Sequence, residues 1–459
     1  WSIPFSMERG VLMNNEGILI LEYLKHENYD KLKELLHQQH PVDIAELYKE
    51  ISLQEGFEIF SFLDFNSALQ VLEQVNTDNK FYILTRVDPE HASRLLNEMP
   101  SDEVADFLGD LDLEKKSRIL SLLGAQEKQD VSNLLTYDKN SAGGIMTTEY
   151  IAFPKDLKAG EALDKLEVLA PGAETIYYLY AIDNLKRLVG VVSLRDLIVA
   201  HQDTPIEEIM WTEVKKVKAT RDQEEVVRLI QKYGFLALPV VDDRDVLLGI
   251  ITVDDIMMIA QEETTEDILK LAGSDYEEGA VSDQPSPWAR TKRRLPWILV
   301  AVVGEMLSGR IMNNFSNTLE AIVALAFFIP VLMDMGGNVG TQSAAIIVRG
   351  LAVGHVDTKS ITKNVLWEAG VGIILGTLNG LLIALVAYIW QKNIMLGLVV
   401  GLSMAFNLTL AAMLGTFMPL LWNKLGQDPA VASGPLITTL LDIMGLFIYF
   451  TTATWILNI

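Results

Sequence analysis

The strongest constraint in this sequence is an abrupt change of composition near Pro285. Residues 286–459 contain mostly apolar runs, each about as long as the roughly 20 residues that a helix needs to cross a bilayer. They hold only 7 acidic and 10 Lys or Arg residues, whereas residues 1–285 hold 54 and 27. The chain is therefore predicted to join an acidic N-terminal part to a membrane-embedded C-terminal part.

Five membrane spans are predicted after this change. Glu305 and Arg310 interrupt the first span, and the second is long enough to be tilted or broken, with Pro330 and Gly336-Gly337 near its middle. Lys and Arg lie mainly before the first span and after the second and fourth, so the positive-inside rule places the N-terminal part in the cytoplasm and the C-terminus outside. The predicted spans are residues 296–315, 318–348, 365–390, 394–422 and 429–457.

The charge and the missing residue types exclude several functions. A surface as acidic as residues 1–285 repels nucleic acid and anionic headgroups and gathers cations. Cys is absent, so there is no disulfide framework, thiolate metal site or Cys nucleophile. The six His are dispersed, and no catalytic triad, phosphate-binding loop or zinc motif occurs. We therefore predict a multi-pass protein of the cell membrane that is not an enzyme and has no nucleic-acid partner.

The cytoplasmic part is predicted to contain several domains. Residues 16–136 have helical periodicity with Pro or Asp at several helix starts, which indicates a small superhelical α domain. Residues 265–290 are predicted to form a connecting helix that leads to the membrane domain at 291–459. We interpret residues 1–15 as an N-terminal extension without an assigned function; the alternative is that it derives from expression of the protein and that the native chain starts at Met7.

Residues 137–264 contain an internal duplication. The stretch GVVSLRDLIVA from Gly190 is echoed by GIITVDDIMMIA from Gly249, which predicts two domains of mixed strand and helix at 137–200 and 201–264. Here the chain resembles paired cystathionine-beta-synthase (CBS) domains. In that family the cleft between copies often accepts an adenine nucleotide, so the resemblance implies a site for ATP or a related nucleotide at Ser193, Asp196, Thr252 and Asp255. The alternative is that these residues only cap helices.

The sharpest functional signal is Asp442, near the centre of the fifth span. A charge at this depth costs at least about 2.5–3.5 kcal/mol, so such a residue is usually functional or paired. Thr438 and Gly445 lie on the same helical face. Together they offer carboxylate, hydroxyl and carbonyl oxygens, the ligands that Mg²⁺ prefers. The alternative is that Asp442 hydrogen-bonds to a neighbouring helix.

A second polar motif, MGGNVGTQS at 335–343, lies in the second span. Its glycines permit local unwinding of the helix, and Asn338 and Gln342 supply neutral oxygens that could line a pore. The alternative is close helix packing on the glycines. Glu305, Glu320 and Glu368 lie nearer to the predicted membrane interfaces, where a solvated or Arg-paired carboxylate is the favoured interpretation.

The stretches GGNVGTQS and SGPLITTLLDIMGLFIY and the duplicated CBS copies occur in one characteristic order. From about residue 16 to 459 the chain resembles the bacterial MgtE magnesium channels. The resemblance implies a helical N domain, paired CBS domains, a connecting plug helix and five transmembrane helices. It also implies a homodimer with a Mg²⁺-selective pore between protomers, in which Asp442 is the ion-selecting carboxylate and Thr438 replaces the Ala of some relatives.

The same resemblance implies that cytosolic Mg²⁺ closes the channel by binding to acidic residues. Apposed carboxylates repel one another, and divalent cations would stabilise their compact arrangement. The alternative for each carboxylate is a solvated helix face or a favourable interaction with a helix dipole. The family pattern favours acids where this chain has Gly234 and Met258, so at least one sensor site is predicted to be missing or weaker. The implied sensor residues are Asp102, Asp106, Asp222, Glu224, Asp255, Glu263, Glu266, Asp267 and Asp428.

Two other functions stay open at this point. The first is a carrier that couples the movement of a divalent cation to Na⁺ or H⁺. The second is a membrane-tethered nucleotide sensor. In this case the spans would only anchor the protein in the bilayer and hold two copies together. The tethered sensor is the less favoured of the two, because an anchor has no need of five spans with an intramembrane Asp442.

Overall fold

The computed structural model of the chain describes residues 15–275, 286–356, 360–432 and 434–458. These residues form two compact units, Trp1–Met257 and Met258–Ile459. The predicted extension at 1–15 lies outside the described residues apart from Asn15. The described part contains the predicted fold: a helical N domain, a tandem CBS pair and a membrane domain with five long helices.

Short helices build the N domain. Their starts follow the sequence signals: Ser52 and Glu55 form a reciprocal capping box, and Asp64 and Asp112 accept hydrogen bonds from the first turn of their helices. The helices are α1 (Asn15–Lys25), α2 (Tyr29–Gln38), α3 (Pro41–Leu47), α4 (Leu53–Phe60), α5 (Phe65–Gln74), α6 (Thr77–Leu84), α7 (Pro89–Glu98), α8 (Ser101–Gly109), α9 (Leu113–Leu120) and α10 (Ala125–Leu134).

The CBS pair repeats one strand and helix pattern twice. In each copy a parallel strand pair is extended by an antiparallel strand, giving the orders β1-β2-β3 and β4-β5-β6. The elements are β1 (Ala152–Pro154), α11 (Ala159–Leu169), β2 (Tyr178–Ile182), β3 (Leu188–Ser193), α12 (Leu194–Val199), α13 (Ile206–Ile209), β4 (Val217–Lys218), α14 (Gln223–Tyr233), β5 (Ala237–Val241), β6 (Leu247–Thr252) and α15 (Val253–Leu271).

Cross-contacts between the copies explain part of the repeated motif. Thr147 pairs with Ile250 of β6, and Trp211 pairs with Val191 of β3. The Met that precedes each bridge lies against a glycine of the other strand pair, so that a Cβ atom at Gly249 would lie 2.9 Å from Cγ of Met146. The repeated Gly is therefore required by this close approach rather than by backbone conformation.

The membrane domain consists of long helices joined by short connections. Helices α18, α20 and α21 pack together, α19 packs on α20, and α16 packs on α21. Their shared core is apolar and contains the large buried side chains of Phe328, Tyr449 and Phe450. The elements are α16 (Pro287–Asn314), α17 (Ser316–Ala321), a 3₁₀ segment (Val323–Phe328), α18 (Ile329–Ala352), α19 (Ile361–Gln391), α20 (Ile394–Lys424), a 3₁₀ segment (Pro429–Val431) and α21 (Gly434–Leu457).

Two sequence predictions about helix geometry need correction. The second span, predicted to be tilted or broken with Pro330 and Gly336-Gly337 near its middle, is interrupted just before Pro330, because a Pro is tolerated in the first turn of α18 and its ring cannot continue a helix from the preceding residues. The helix is continuous through 335–343, so the predicted unwinding there is wrong. In addition, the connecting helix predicted at 265–290 is the end of α15, which begins at Val253; residues 276–285 lie outside the described part.

We predict that Gly249→Ala loosens the CBS pair, because the added methyl group would press on Met146 and on the backbone of Thr147. Hydrogen–deuterium exchange of the full-length protein should be faster in β5 and β6. Gly172→Ala is the matched control, since a Cβ atom at that position meets no other atom within 4 Å. Equal protection of β5 and β6 in both variants would contradict this account.

Candidate functional site

Asp442 of α21 lies beside two other carboxyl groups in the membrane domain. Glu305 of α16 is within hydrogen-bonding reach of Asp442, and Asp334 of α18 is close enough to interact with it electrostatically. Three helices therefore bring three acidic side chains to one locality. Glu305 was predicted to lie near a membrane interface and Asp334 was not predicted as a site residue, although an ionisable residue inside the second span is itself a signal of a functional position.

Asp334 begins a polar stripe along α18. It is followed at intervals of four residues by Asn338 and Gln342, so the three share one helical face. The Asn338 side chain donates a hydrogen bond from Nδ2 to Oδ2 of Asp334, at 3.1 Å. All three side chains are exposed in the single chain. The two residues predicted as pore lining thus lie on an open face together with a carboxylate.

The glycines of the same segment face the other way, into the helix bundle. Gly336 and Gly445 both lie against the amide of Asn407 on α20, and Asn407 is 2 % exposed. Its Nδ2 donates a 2.7 Å hydrogen bond to the backbone oxygen of Leu332. Close helix packing on glycines, the alternative interpretation of this motif, is what the structure contains.

Two of the predicted pore residues have neighbours within their own chain. Thr438 donates a 3.2 Å hydrogen bond to the backbone oxygen of Pro435, one turn earlier on α21. Gly445 is buried against Asn407. Among the described residues, no three His, Asp or Glu side chains are arranged so that they could hold a metal ion. One chain alone therefore brings acidic neighbours to Asp442 without forming a complete coordination shell.

A cavity of about 730 Å³ lies beside this locality and is lined mostly by apolar side chains. It extends along α16 from Arg294 to Met306 and reaches Glu305, the neighbour of Asp442. The end of α15 forms the opposite wall. Its lining residues are Leu269, Ala272, Gly273, Ser274, Arg294, Trp297, Ile298, Ala301, Val302, Glu305, Met306 and Pro435.

In the N-terminal unit, α8 of the N domain meets the CBS pair at a group of acidic residues. Ser101 joins the two through a backbone hydrogen bond to Oε1 of Glu149, at 3.1 Å, and a hydroxyl contact of 2.7 Å with Thr148. Oδ1 of the adjacent Asp102 is buried without a hydrogen-bond partner. Burial raises the pKa of Asp102 well above its usual value, and repulsion by Asp255 and other carboxylates adds to the effect.

Glu174 belongs to the same acidic group and was missed by the sequence analysis. Desolvation and the charges of Asp255, Glu149 and Asp254 raise the pKa of Glu174 to about 7, although its side chain reaches the surface. The pKa of Asp255 is also raised, first by burial. The sequence could not show this grouping, because Glu174 lies in the loop between α11 and β2, far along the chain from Asp102 on α8 and Asp255 on α15.

The predicted nucleotide residues form two local pairs. Ser193 accepts a hydrogen bond from the backbone N–H of Asp196 at the start of α12 and donates one to its carboxylate, at 2.7 Å. Thr252 donates in the same way to Asp255 at the start of α15, at 2.6 Å. The Ser193–Asp196 pair therefore caps α12, as the alternative interpretation requires, and the Thr252–Asp255 pair lies at the start of α15. Neither observation tests nucleotide binding.

The other predicted sensor carboxylates occupy different surroundings. Asp222 caps α14, and Glu224 forms an ion pair with Arg228 on the same helix. Asp106 is exposed on α8, whereas Glu263 and Asp267 are half-buried on α15. Glu266 and Asp428 both form ion pairs with Lys270.

The family pattern favours an acid at two positions where this chain has Gly234 and Met258. Gly234 ends α14 in a left-handed conformation, with φ of 67°, which explains a glycine there. Met258 is exposed on α15.

Comparison with known proteins identifies the architecture. The family model described as "Divalent cation transporter" matches residues 329–452, "MgtE intracellular N domain" matches 39–140, and "CBS domain" matches 142–203 and 206–262. The chain is 38% identical over 446 residues to "Magnesium transporter MgtE" of Thermus thermophilus, covering 96% of this chain and 98% of the relative. The chain belongs to the MgtE family of magnesium transporters.

Other MgtE proteins agree with this assignment. The transporter of Enterococcus faecalis is 40% identical over 450 residues, covering 98% of each chain, and that of Bacillus subtilis is 43% identical over 324 residues, covering 71% of each. A crystal structure of the cytosolic domain of the Mg²⁺ channel MgtE in complex with ATP has a TM-score of 0.51 and 36% identity, and it covers 53% of this chain and 99% of that one. The predictions of a membrane transporter with a cytosolic N-terminal part and no enzyme activity are confirmed.

We predict that the unit containing the MgtE N domain becomes less stable as the pH rises towards the pKa of Glu174. A carboxyl group whose pKa is raised in the folded protein favours folding below its unfolded value, about 4.5, and this contribution disappears as pH rises to about 7. Glu174→Gln should therefore flatten the pH dependence of thermal unfolding between about pH 5 and 7, measured without divalent cations. Glu167→Gln, on an exposed part of α11, is the control that should leave the slope unchanged.

Proposed function

We propose that the protein is a homodimeric, Mg²⁺-selective channel that imports Mg²⁺ down its electrochemical gradient and closes when Mg²⁺ binds to its acidic cytosolic domains. The observation that carries the proposal is the exposed polar stripe of Asp334, Asn338 and Gln342 on a membrane-spanning helix. Hydrocarbon could not cover such a stripe without a large free-energy cost. It requires water, a partner chain or both.

A second protomer and an aqueous pore would satisfy this requirement together. If two copies place their α18 stripes and Asp442 residues around one axis, the polar side chains face water and the apolar surfaces of the other helices face lipid. A closed dimer with twofold symmetry is also the commonest arrangement of identical subunits. The pore would then contain one Asp442 from each protomer.

The ion is expected to pass Asp442 with most of its hydration shell. Mg²⁺ loses water reluctantly and prefers six oxygen ligands in an octahedron, whereas the described residues of one protomer form no complete metal-binding group around Asp442. Bound water molecules would bridge the ion to Asp442 and to nearby carbonyl oxygens. The membrane potential supplies about 4.6 kcal/mol per 100 mV for a divalent cation, so no ATP hydrolysis is required.

The acidic group of the N-terminal unit supports regulation by cytosolic Mg²⁺. Asp102, Glu174 and Asp255 repel one another where α8 meets the CBS pair. A divalent cation at this place would relieve the repulsion and favour the compact arrangement by mass action. We include Asp106, Asp222, Glu224, Glu263 and Asp267 as further sensor residues on the family resemblance alone.

We also propose an adenine nucleotide, ATP or a related one, as a ligand of the CBS pair. The related cytosolic domain that was crystallised with ATP supports this, since it aligns over 53% of the chain. The Ser193–Asp196 pair is the better candidate of the two, because Asp255 lies among carboxylates that would repel a triphosphate.

The decisive experiment measures Mg²⁺ influx into proteoliposomes containing the purified full-length protein. We predict that Asp442→Ala abolishes selective Mg²⁺ influx, since the pore then lacks the carboxylate that we propose selects the ion. Glu320→Gln is the control, because Glu320 is exposed in the short helix α17, outside the polar stripe. Unchanged selective influx through Asp442→Ala would refute the role assigned to Asp442.

The same preparation separates the channel from the alternatives. A channel carries unitary currents without a Na⁺ or H⁺ gradient, whereas a coupled carrier stops when that gradient is removed. A tethered nucleotide sensor would bind adenine nucleotide and show no Mg²⁺ influx. Influx that falls at millimolar Mg²⁺ on the cytosolic face supports closure by the cytosolic domains, and influx indifferent to it removes that part of the proposal.

A further inference from the structure

Lys270, near the end of α15, lies between two carboxylates that the family resemblance assigns to Mg²⁺ sensing. We propose that Lys270, rather than a divalent cation, neutralises Glu266 and Asp428 and fastens the end of α15 to the loop before α21. This inference deepens the proposed function and depends on it for its regulatory meaning. The fastening itself is a property of the fold that can be tested without transport.

The geometry places one ammonium group on both acids. Nζ of Lys270 donates to Oδ2 of Asp428 at 2.6 Å, although the two residues are 158 positions apart in the sequence. The same ammonium forms an ion pair with Glu266, one helical turn earlier on α15. The side chains of Lys270, Glu266 and Asp428 are 25 %, 22 % and 31 % exposed, so solvent screens the arrangement less than it would a surface ion pair.

The second oxygen of Asp428 is also in use. Oδ1 accepts a 2.8 Å hydrogen bond from the backbone N–H of Ala430 and so caps the 3₁₀ segment before α21. Both carboxylate oxygens of Asp428 therefore have hydrogen-bond partners, one on Lys270 and one on the backbone of Ala430.

Neighbouring contacts show that the end of α15 is docked over several residues. Nε1 of Trp297 on α16 donates to Oδ1 of Asp275 at 3.1 Å, and the N–H of Asp275 donates to the backbone oxygen of Arg293. Gly273, with φ of 72°, turns the chain against Pro435 at the start of α21. The ion pairs of Lys270 are thus one part of a wider contact between the end of α15 and the membrane domain.

A Mg²⁺ ion does not fit this arrangement. Its octahedral shell needs oxygen ligands at about 2.0–2.1 Å, whereas the ammonium group already occupies the space between the two carboxylates. A divalent ion beside Lys270 would also meet electrostatic repulsion in a partly desolvated setting. The prediction that Glu266 and Asp428 bind Mg²⁺ therefore disagrees with the surroundings of these two residues. Under the proposed function, Mg²⁺-dependent closure would have to act through the other acidic residues.

A double-mutant cycle tests the assignment. Mg²⁺ binding to the full-length protein in detergent would be titrated calorimetrically for wild type, Asp428→Asn, Lys270→Gln and the double variant. We predict that Asp428→Asn alone leaves the number of bound Mg²⁺ ions unchanged. Lys270→Gln should expose a carboxylate pair that binds one additional Mg²⁺ per chain, and the double variant should lose that ion again.

Hydrogen–deuterium exchange provides a second, local measurement. In EDTA, Lys270→Gln should increase exchange at residues 266–274 by about tenfold, the factor in an equilibrium constant that corresponds to 1.4 kcal/mol. Added Mg²⁺ should restore protection in this variant. Lys270→Arg should behave as wild type because it keeps the charge, and Lys424→Gln, at an exposed lysine of the same unit, should have no effect.

Two results would overturn the assignment. One is the loss of a bound Mg²⁺ in Asp428→Asn while Lys270 is present, which would make Asp428 a metal ligand. The other is wild-type exchange of Lys270→Gln in EDTA. Failure of the proposed channel function would be recognised separately, as absent Mg²⁺ influx in wild-type proteoliposomes, and would leave both measurements of the ion pair interpretable.

Discussion

The cost of polar groups in hydrocarbon governs this structure. Five apolar helices in the described part of the chain carry a buried Asn407, three neighbouring carboxyl groups and a polar stripe, and every one of these groups needs a protein or water environment. The bundle meets this need in two ways. Asn407 is enclosed by close helix packing and hydrogen-bonded to Leu332, whereas Asp334, Asn338 and Gln342 are left on an open face. The second solution is what makes a pore between protomers physically reasonable.

Small residues make the first solution possible. Gly336 and Gly445 let α18 and α21 approach α20 closely enough to enclose the Asn407 amide between them. The glycines of the MGGNVGTQS motif therefore serve packing, and the carboxylate and amides of α18 serve the exposed face. One helix carries both patterns because side chains four residues apart stay on one side of it, while intervening positions face the bundle.

In the cytosolic half, the main electrostatic feature is the excess of acidic over basic side chains. Its acidic side chains are too numerous to be paired by its basic residues. Where α8 meets the CBS pair, desolvation together with repulsion by neighbouring carboxylates raises the pKa of Glu174 to about 7. Near the membrane domain the opposite arrangement occurs, since Lys270 neutralises Glu266 and Asp428 internally. The acidic residues implied by the family resemblance are thus not equivalent: Asp102 and Asp255 lie near other carboxylates, whereas Glu266 and Asp428 form ion pairs with Lys270.

The sequence by itself determined the membrane and cytosolic halves, the five spans, the CBS duplication and the family, because hydropathy, charge and repeated motifs are properties of consecutive residues. It also singled out Asp442, since an acid inside an apolar run is visible without a fold. Only the tertiary structure could place Glu305 and Asp334 beside Asp442, Glu174 near Asp102, and Lys270 on Asp428. These groupings join residues far apart in the chain, and helix packing rather than local spacing fixes them. For the same reason, the sequence could not decide whether the glycines of α18 unwind the helix, and in the structure they stay helical and face neighbouring helices.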